Sequence, residues 1–394
     1  MNILYILNGL GFARGMPPGG ADKKALETAK RLQKMGCKIG FLTTISGQEM
    51  LKAGGLEANY HLVGRGEFRD VKSAQTLFGR VFSYLYVTLA SGWVRLPIED
   101  YDVVYPTSDL FFDLVPAWLM KRRNRNLKYV GIVHHWIDLP WRRRGRFLFN
   151  LLLFVSQRFG FLLLRLWADL ILVPQSPEGE NVKKALRKMG IRSGRVGYTR
   201  NGVDCEAIRK VKAPSKQFEA CFLGGLRPSK GIFDLVEIWQ AVQKEIPEAK
   251  LLVIGGGMAD YREELERQIK ETGMSKAIEL AGAVPQKDLF KKVKSARVFI
   301  SPSYEEGWGI VVSEALAAGL PVVAYDLPAY RIFGEAIVKV PLGDKGEFAG
   351  QIIRLLGSEK EREILVARGN QVVPQLSWEA AAEIELKSLK PLLE

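Results

Sequence analysis

Residues 302–322 read PSYEEGWGIVVSEALAAGLPV. The run just before them, 298–301, suits a buried strand. Gly307 and Gly309 flank a turn, and the apolar, alanine-rich residues 311–318 suit a helix. A strand, a glycine-flanked loop and a helix in that order are the elementary unit of an open α/β sheet, in which ligands bind at the carboxyl ends of the strands. A helix that starts there offers backbone N–H groups to a phosphate. Two carboxylates bracket the loop: Glu306 lies in it and Glu314 lies eight residues on, in the helix. Such a pair can hold hydroxyls of one polyol at two points. The plainer reading is a capping glutamate and an unrelated helix residue.

The same alternation runs outward in both directions. Strands are predicted at 219–223, 250–254, 278–280, 298–301 and 322–325, with helices at 232–245, 261–272, 286–294, 311–318 and 347–356. In the first half, strands are predicted at 3–7, 38–43, 103–105, 129–133 and 170–173. A helix over 21–35 is expected to end at Gly36 as its C-cap. Two such sets predict two doubly wound α/β domains, residues 1–200 and 201–375, facing each other across a cleft. The boundary falls at Asn201-Gly202-Val203-Asp204, the stretch 209–217 reads as surface chain, and a helix within 376–394 is expected to pack back on the first domain. A length of 394 residues accommodates two domains.

Composition narrows the chemistry. The chain is 47% hydrophobic and 25% charged, an ordinary globular balance. Three separated cysteines, Cys37, Cys205 and Cys221, make neither a disulfide framework nor a Cys-x-x-Cys zinc site, and they fit a reducing compartment. His61, His134 and His135 are the only histidines, so no His-rich metal site is expected. Asp100-Tyr101-Asp102 spells a metal motif of other folds but reads here as the turn before a strand. The net charge of +14 is unevenly spread: residues 1–200 hold 31 Lys/Arg and 15 Asp/Glu, a net of +16, and the remainder nets −2. A basic half suggests an anionic partner. The apolar run 81–94 is too short to span a bilayer. The run 147–167 is interrupted by Arg158 and Arg165, which lie seven apart and hence on one helical face, and it follows Arg142, Arg143, Arg144 and Arg146. It reads either as a core helix or as one lying in a membrane interface. No basic-then-apolar leader is seen at the start, so the expected location is cytoplasmic, with peripheral attachment to the cytoplasmic face of a membrane.

A second segment, FLGGLRPSKG at 222–231, also joins a strand to a helix and brings Lys230 as a compact cation toward a phosphate. A third, Gly15 to Asp22 with Gly19-Gly20, precedes the first helix and permits close backbone approach. Gly9-Leu10-Gly11 opens a dinucleotide fingerprint, but Arg14 stands where its third glycine belongs. Gly255-Gly256-Gly257 also lacks that pattern.

The 302–322 segment resembles the sugar-nucleotide motif of the retaining glycosyltransferases of family 4, the glycogen-synthase-like group with the GT-B fold. The family pattern Glu-Gly-x-Gly-(Leu/Ile)-Val-x-x-Glu-Ala-x-Ala-x-Gly-x-Pro-Val is filled at nearly every place. The resemblance implies that Glu306 binds donor-sugar hydroxyls, that Glu314 binds the nucleotide ribose, and that Gly307, Trp308, Gly309, Ile310 and Val311 bring loop amides to the diphosphate. Gly19 and Gly20 occupy the place of the family's first Gly-Gly, and Gly255 to Gly257 that of its strand-Gly-x-Gly turn. Lys230 matches the phosphate lysine of Gly-Arg-Leu-x-x-x-Lys-Gly. Gly225 stands where that pattern has arginine, and Arg227 lies two residues later. His134, with His135 as the alternative, takes the place of a strand-end histidine beside the reacting sugar.

The expected activity is therefore a metal-independent, retaining hexosyltransferase with His134, Lys230 and Glu306 as catalytic residues. It would use a UDP- or GDP-sugar as co-substrate, with no cofactor, and an anionic or lipid-linked acceptor at a membrane surface. The rivals are a sugar-nucleotide epimerase or phosphorylase on the same fold, a nucleic-acid binder and a non-catalytic sugar-nucleotide binder. Nucleic acid is not the expected partner, because the basic clusters at 121–128 and 142–146 sit in no binding motif.

Overall fold

A computed structural model describes residues 1–8, 19–64 and 77–394. The chain divides into two units, Met1–Asn201 with Trp378–Glu394, and Gly202–Ser377. The junctions thus fall at 201/202 and 377/378, against the expected 200/201 and 375/376.

The first unit alternates β1 (Asn2–Leu7), α1 (Gly20–Lys34), β2 (Lys38–Thr43), α2 (Ile45–Ala53), β3 (Asn59–Leu62), α3 (Leu77–Trp93), β4 (Val103–Pro106), α4 (Phe111–Arg123), β5 (Lys128–Ile132), α5 (Phe147–Trp167), β6 (Leu170–Pro174), α6 (Pro177–Lys188) and β7 (Val196–Thr199). Among the described residues these strands form one sheet in the order β3-β2-β1-β4-β5-β6-β7, every pairing parallel. The inner strands are buried on both faces, as a helix-covered parallel sheet requires. The second unit continues with α7 (Cys205–Lys210), β8 (Phe218–Leu223), α8 (Asp234–Glu245), β9 (Leu251–Ile254), α9 (Ala259–Glu271), β10 (Ile278–Gly282), α10 (Gln286–Val293), β11 (Ala296–Ser301), α11 (Ile310–Ala317), β12 (Val322–Tyr325), β13 (Val338–Val340), α12 (Lys345–Gly357) and α13 (Glu359–Val372). Its sheet, in the order β10-β9-β8-β11-β12-β13, is also parallel throughout. The last helix, α14 (Trp378–Leu389), returns to the first unit.

Each sheet has one place where the strand order reverses: between β1 and β4 in the first unit and between β8 and β11 in the second. Loops leaving neighbouring strands at such a point diverge and leave a ligand-sized crevice at the carboxyl edge. The segments 222–231 and 302–322 supply the two loops that flank the second unit's reversal.

The structure departs from the sequence expectation at the margins of the sheets. Three of the four edge strands, β3, β7 and β13, are short and partly exposed, and none carries the buried apolar run that marks a central strand. Arg209 and Lys210 end a short helix rather than lying in open chain, and Lys216 is tied down by hydrogen bonds to the carbonyls of Lys294 and Ala296. Gly36 is the residue beyond the C-cap, at φ +90°.

One face of α5 is packed within the unit and the other is exposed. Gln157, Phe161 and Leu164 are buried, and Gly160 is packed so closely that a Cβ there would lie 2.5 Å from the Asp109 carbonyl. Leu148, Leu152, Val155, Phe159, Leu162 and Leu166 are exposed. Arg158 folds over Trp136, 3.9 Å from its ring centre, and donates to the Ile137 carbonyl. Arg165 is exposed. A second helix, α3, also shows an apolar stripe: Phe82, Leu85, Tyr86, Leu89 and Trp93.

The helix α14 is fastened by a buried ion pair. Glu385 Oε2 accepts from Lys24 Nζ of α1 and from Thr199 Oγ1 of β7, both at 2.6 Å, and both charged side chains are at least 96% buried. Arg31 Nε to Glu379 at 3.0 Å and Ser388 Oγ to the Tyr198 carbonyl at 3.1 Å complete the attachment.

Candidate active site

The two loops at the reversal point of the second unit are laced together. Tyr304 N–H donates to the Ser229 carbonyl at 2.9 Å. Gly231 has φ +69°, and a Cβ on it would lie 1.9 Å from the Pro302 carbonyl oxygen, so only glycine fits. The loop after β9 stacks beneath in the same way: Leu226 N–H donates to the Gly256 carbonyl at 2.8 Å, and Gly255, at φ +149°, leaves no room for a Cβ beside the Gly224 carbonyl.

This lacing brings Lys230 and Glu306 into contact across the reversal point, Nζ to Oε1 at 2.5 Å, with 15% and 11% of their side chains exposed. Burial alone would raise the Glu306 carboxyl. The Lys230 ammonium, its hydrogen bond, Ser303 and the charge of Arg227 outweigh it and hold the group below its usual range. Burial draws the Lys230 ammonium below its ordinary value, against the opposing pull of Glu306. Tyr330 Oη lies 3.4 Å from Glu306 Oε1 and 2.8 Å from Ser301 Oγ, so the carboxylate is oriented from behind. Asp234, in the first turn of α8, accepts from Tyr304 Oη at 2.6 Å and Tyr325 Oη at 3.0 Å and braces the loop.

Gly309 caps α11 in the left-handed region at φ +91°, where a Cβ would lie 2.6 Å from the Tyr330 ring. The amides of Ile310 and Val311 belong to the first turn and so have no intrahelical acceptor. Glu314 lies one turn further along α11, with its side chain buried. The role expected of Trp308 lay in its backbone amide, and its indole is 3% exposed and packed in the core.

Arg227 is exposed, and its Nε would be 3.8 Å from a Cβ at Gly225. Its side chain therefore lies over the position that Gly225 leaves empty, and its charge acts on both Lys230 and Glu306.

In the first unit the reversal point is occupied by residues that the sequence did not single out. Asp113 of α4 accepts from Asn8 N–H at 2.9 Å and Ser108 Oγ at 2.5 Å, and burial pushes its carboxyl up to about 7. Asp109 accepts from Gln157 Nε2 at 2.6 Å and is pushed up to about 6 by burial. His134 follows β5, and its Nε2 is 2.8 Å from the Thr107 carbonyl oxygen. A carbonyl only accepts, so Nε2 carries the proton and Nδ1 presents a lone pair. Burial first, and then the nearby Lys24 and His135, draws the imidazole down to about 4 against the Thr107 hydrogen bond, so His134 is neutral at pH 7. Gly19 and Gly20 are exposed at the start of α1, where Asp22 Oδ2 accepts from Gly19 N–H at 3.2 Å. Burial pushes the Asp22 carboxyl up to about 7, against the Gly19 hydrogen bond. Gly9 to Pro18, including Arg14 and Gly15, lie outside the described residues. Asp102 Oδ2 accepts from Asn2 N–H at 2.7 Å, a structural use, and no cluster of three potential metal ligands occurs among the described residues.

The chain matches two family descriptions in succession, "Glycosyltransferase Family 4" over residues 18–207 and "Glycosyl transferases group 1" over 204–372. It is 33% identical over 191 residues to a phosphatidyl-myo-inositol mannosyltransferase of Mycobacterium leprae, covering 46% of this chain and 50% of that protein. It is 27% identical over 195 residues to the O-antigen chain mannosyltransferase B of Escherichia coli, covering 49% and 51%. The match thus spans about half the length of these curated relatives. The crystal structure of Anabaena HepE in complex with UDP and glucose superposes with a TM-score of 0.75 at 18% identity, over 99% of this chain and 100% of that one. Together with the two parallel-sheet units, that likeness shows the GT-B fold.

Proposed function

The chain belongs to the group 1 glycosyl transferases of glycosyltransferase family 4, and from that premise we propose that it moves a sugar from a UDP- or GDP-sugar to an anionic, lipid-linked acceptor, with retention and without a metal. The observation that carries the reading is the Lys230–Glu306 pair held across the reversal point of the second unit, with the N-terminus of α11 beside it. In this reading the second unit binds the donor. Glu306 accepts from sugar hydroxyls, and Glu314 takes the ribose. Lys230, Arg227 and the amides of Gly307 to Val311 stabilise charge on the departing diphosphate. The acceptor hydroxyl forms its bond to the anomeric carbon from the side the diphosphate leaves, and its proton passes to the leaving phosphate oxygen. His134, neutral and with Nδ1 as acceptor, contacts a ligand hydroxyl at the first unit, which binds the acceptor.

Nucleoside diphosphates are expected to raise the melting temperature in the presence of EDTA, since Lys230 and backbone amides do the work of a cation. Saturation at about 100 times the dissociation constant adds about 2.7 kcal/mol. Thermal-shift screening with UDP, GDP, ADP and their sugars checks this. A shift, or a transfer activity, that appears only with added manganese or magnesium would refute the metal-free reading.

The lipid-linked acceptor is supported by the +16 of residues 1–200 and by the apolar stripe of α5, which begins beside Arg142, Arg143 and Arg144. The name of the mycobacterial relative also speaks of a lipid substrate. The cytoplasmic face is the proposed location: its leaflet is anionic, and the three cysteines are free thiols. Neutralising Arg142, Arg143 and Arg144 together should weaken binding to anionic vesicles by about 100-fold, at about 1 kcal/mol per cation. Flotation measures it, and a wild-type protein that stays at the bottom at low salt ends the membrane reading.

A further inference from the structure

The exposed residues of α5, Leu148, Leu152, Val155, Phe159, Leu162 and Leu166, alternate spacings of four and three and so form one straight stripe. At 1.5 Å per residue it is about 27 Å long. Its first end carries the exposed Trp141 and the arginines at 142–146. Its last residue, Leu166, lines a cavity of about 360 Å³ with Trp167, Lys121, Asp169, Arg192 and Arg195.

That cavity holds three cations and one carboxylate. Lys121 is committed to Asp169 at 3.0 Å and to the Arg125 carbonyl at 3.0 Å. Arg195 closes the C-terminus of α5 by donating to the carbonyls of Leu164, Arg165 and Ala168. The Arg192 guanidinium makes no hydrogen bond or ion pair among the described residues. It lies close enough to Arg195 to oppose that residue's charge: burial first, and then Arg192, draws Arg195 below its ordinary value against the pull of Asp169. Net positive charge, one uncommitted guanidinium and an apolar wall on one side together describe a receptor for an anion attached to something apolar.

We propose that this cavity binds the phosphate of an anionic lipid headgroup, with Arg192 as its direct contact and Leu166 marking the start of the acyl region. The proposal rests on the membrane-surface reading above and adds a second, structured contact at the opposite end of the stripe from the arginine cluster. A helix lying in the interface would then be held by cations at both ends. A free phosphate would satisfy Arg192 equally but would leave the stripe uncovered, which favours the lipid source.

The test uses the full chain and vesicles of phosphatidylcholine with and without phosphatidic acid. Arg192→Glu, which changes the charge by two, is expected to weaken partitioning onto the anionic vesicles by about 30-fold. Lys34→Glu, the same change at an exposed site on α1, should have much less effect. If wild-type protein floats and the two variants behave alike, the cavity proposal is overturned and the membrane reading stands. If wild-type protein does not float with anionic vesicles at all, both fail. Inorganic phosphate binding at Arg192 without flotation would assign the cavity to a soluble anion and overturn the lipid proposal.

Discussion

Lys230→Ala and Glu306→Ala are each expected to lower kcat by about 10²–10³-fold, the cost of losing one preorganised charged partner where transition-state charge develops, about 2.7–4 kcal/mol. The two side chains touch in the structure, so a purely structural pair is the competing account. The double variant separates the two. If the pair only held the loops together, removing both charges would relieve the unpaired charge left by either single change and turnover would recover. If the ammonium faces the diphosphate and the carboxylate faces the sugar, the double variant stays as inactive as the worse single one. Arg227→Ala should be milder and act mainly on donor KM, because that side chain is exposed. Near-normal turnover in both single variants would remove the site assignment.

Glu385→Ala is expected to cost about 3–5 kcal/mol of stability, because it leaves the Lys24 ammonium buried without its counter-charge. For a unit of about 200 residues this lowers Tm by roughly 6–20 °C. Calorimetry of the single variant and of Lys24→Met/Glu385→Leu makes the comparison. The double variant exchanges the ion pair for apolar packing and should regain more than half of the lost stability. A loss below about 1 kcal/mol in the single variant would show that the pair is not what fastens α14.

What could be read from the chain follows from what each feature depends on. The placing of Lys230 and Glu306 on two loops at the carboxyl edge was legible because glycines, a lysine and carboxylates at set spacings follow apolar strand runs. The central strands were legible because burial on both faces forces continuous apolar runs. Asn8, Thr107 and Asp113 were not, since nothing local marks them. Their meeting depends on β1 pairing with β4 across about a hundred residues, and strand order is a property of the whole sheet. The burial of the Trp308 indole was not legible for a related reason: it is decided by side chains such as Tyr330 and Phe333 that arrive from later in the chain. The faces of α5 were undecidable from pattern alone, because a helix apolar on all sides suits a core and an interface equally.

The return of α14 to the first unit also has a consequence in time. During synthesis, β1 to β7 are complete once residue 199 has emerged, yet Glu385 is still 186 residues away. At about 5–20 residues per second, roughly 10–40 s pass before it arrives. Through that interval Lys24, Thr199 and the apolar seat of Ala382 and Leu389 stand open on the nascent chain. The first unit is therefore first to be made and last to be finished, and a ribosome that stalls anywhere in the second unit releases an incomplete first one, a natural client for chaperones.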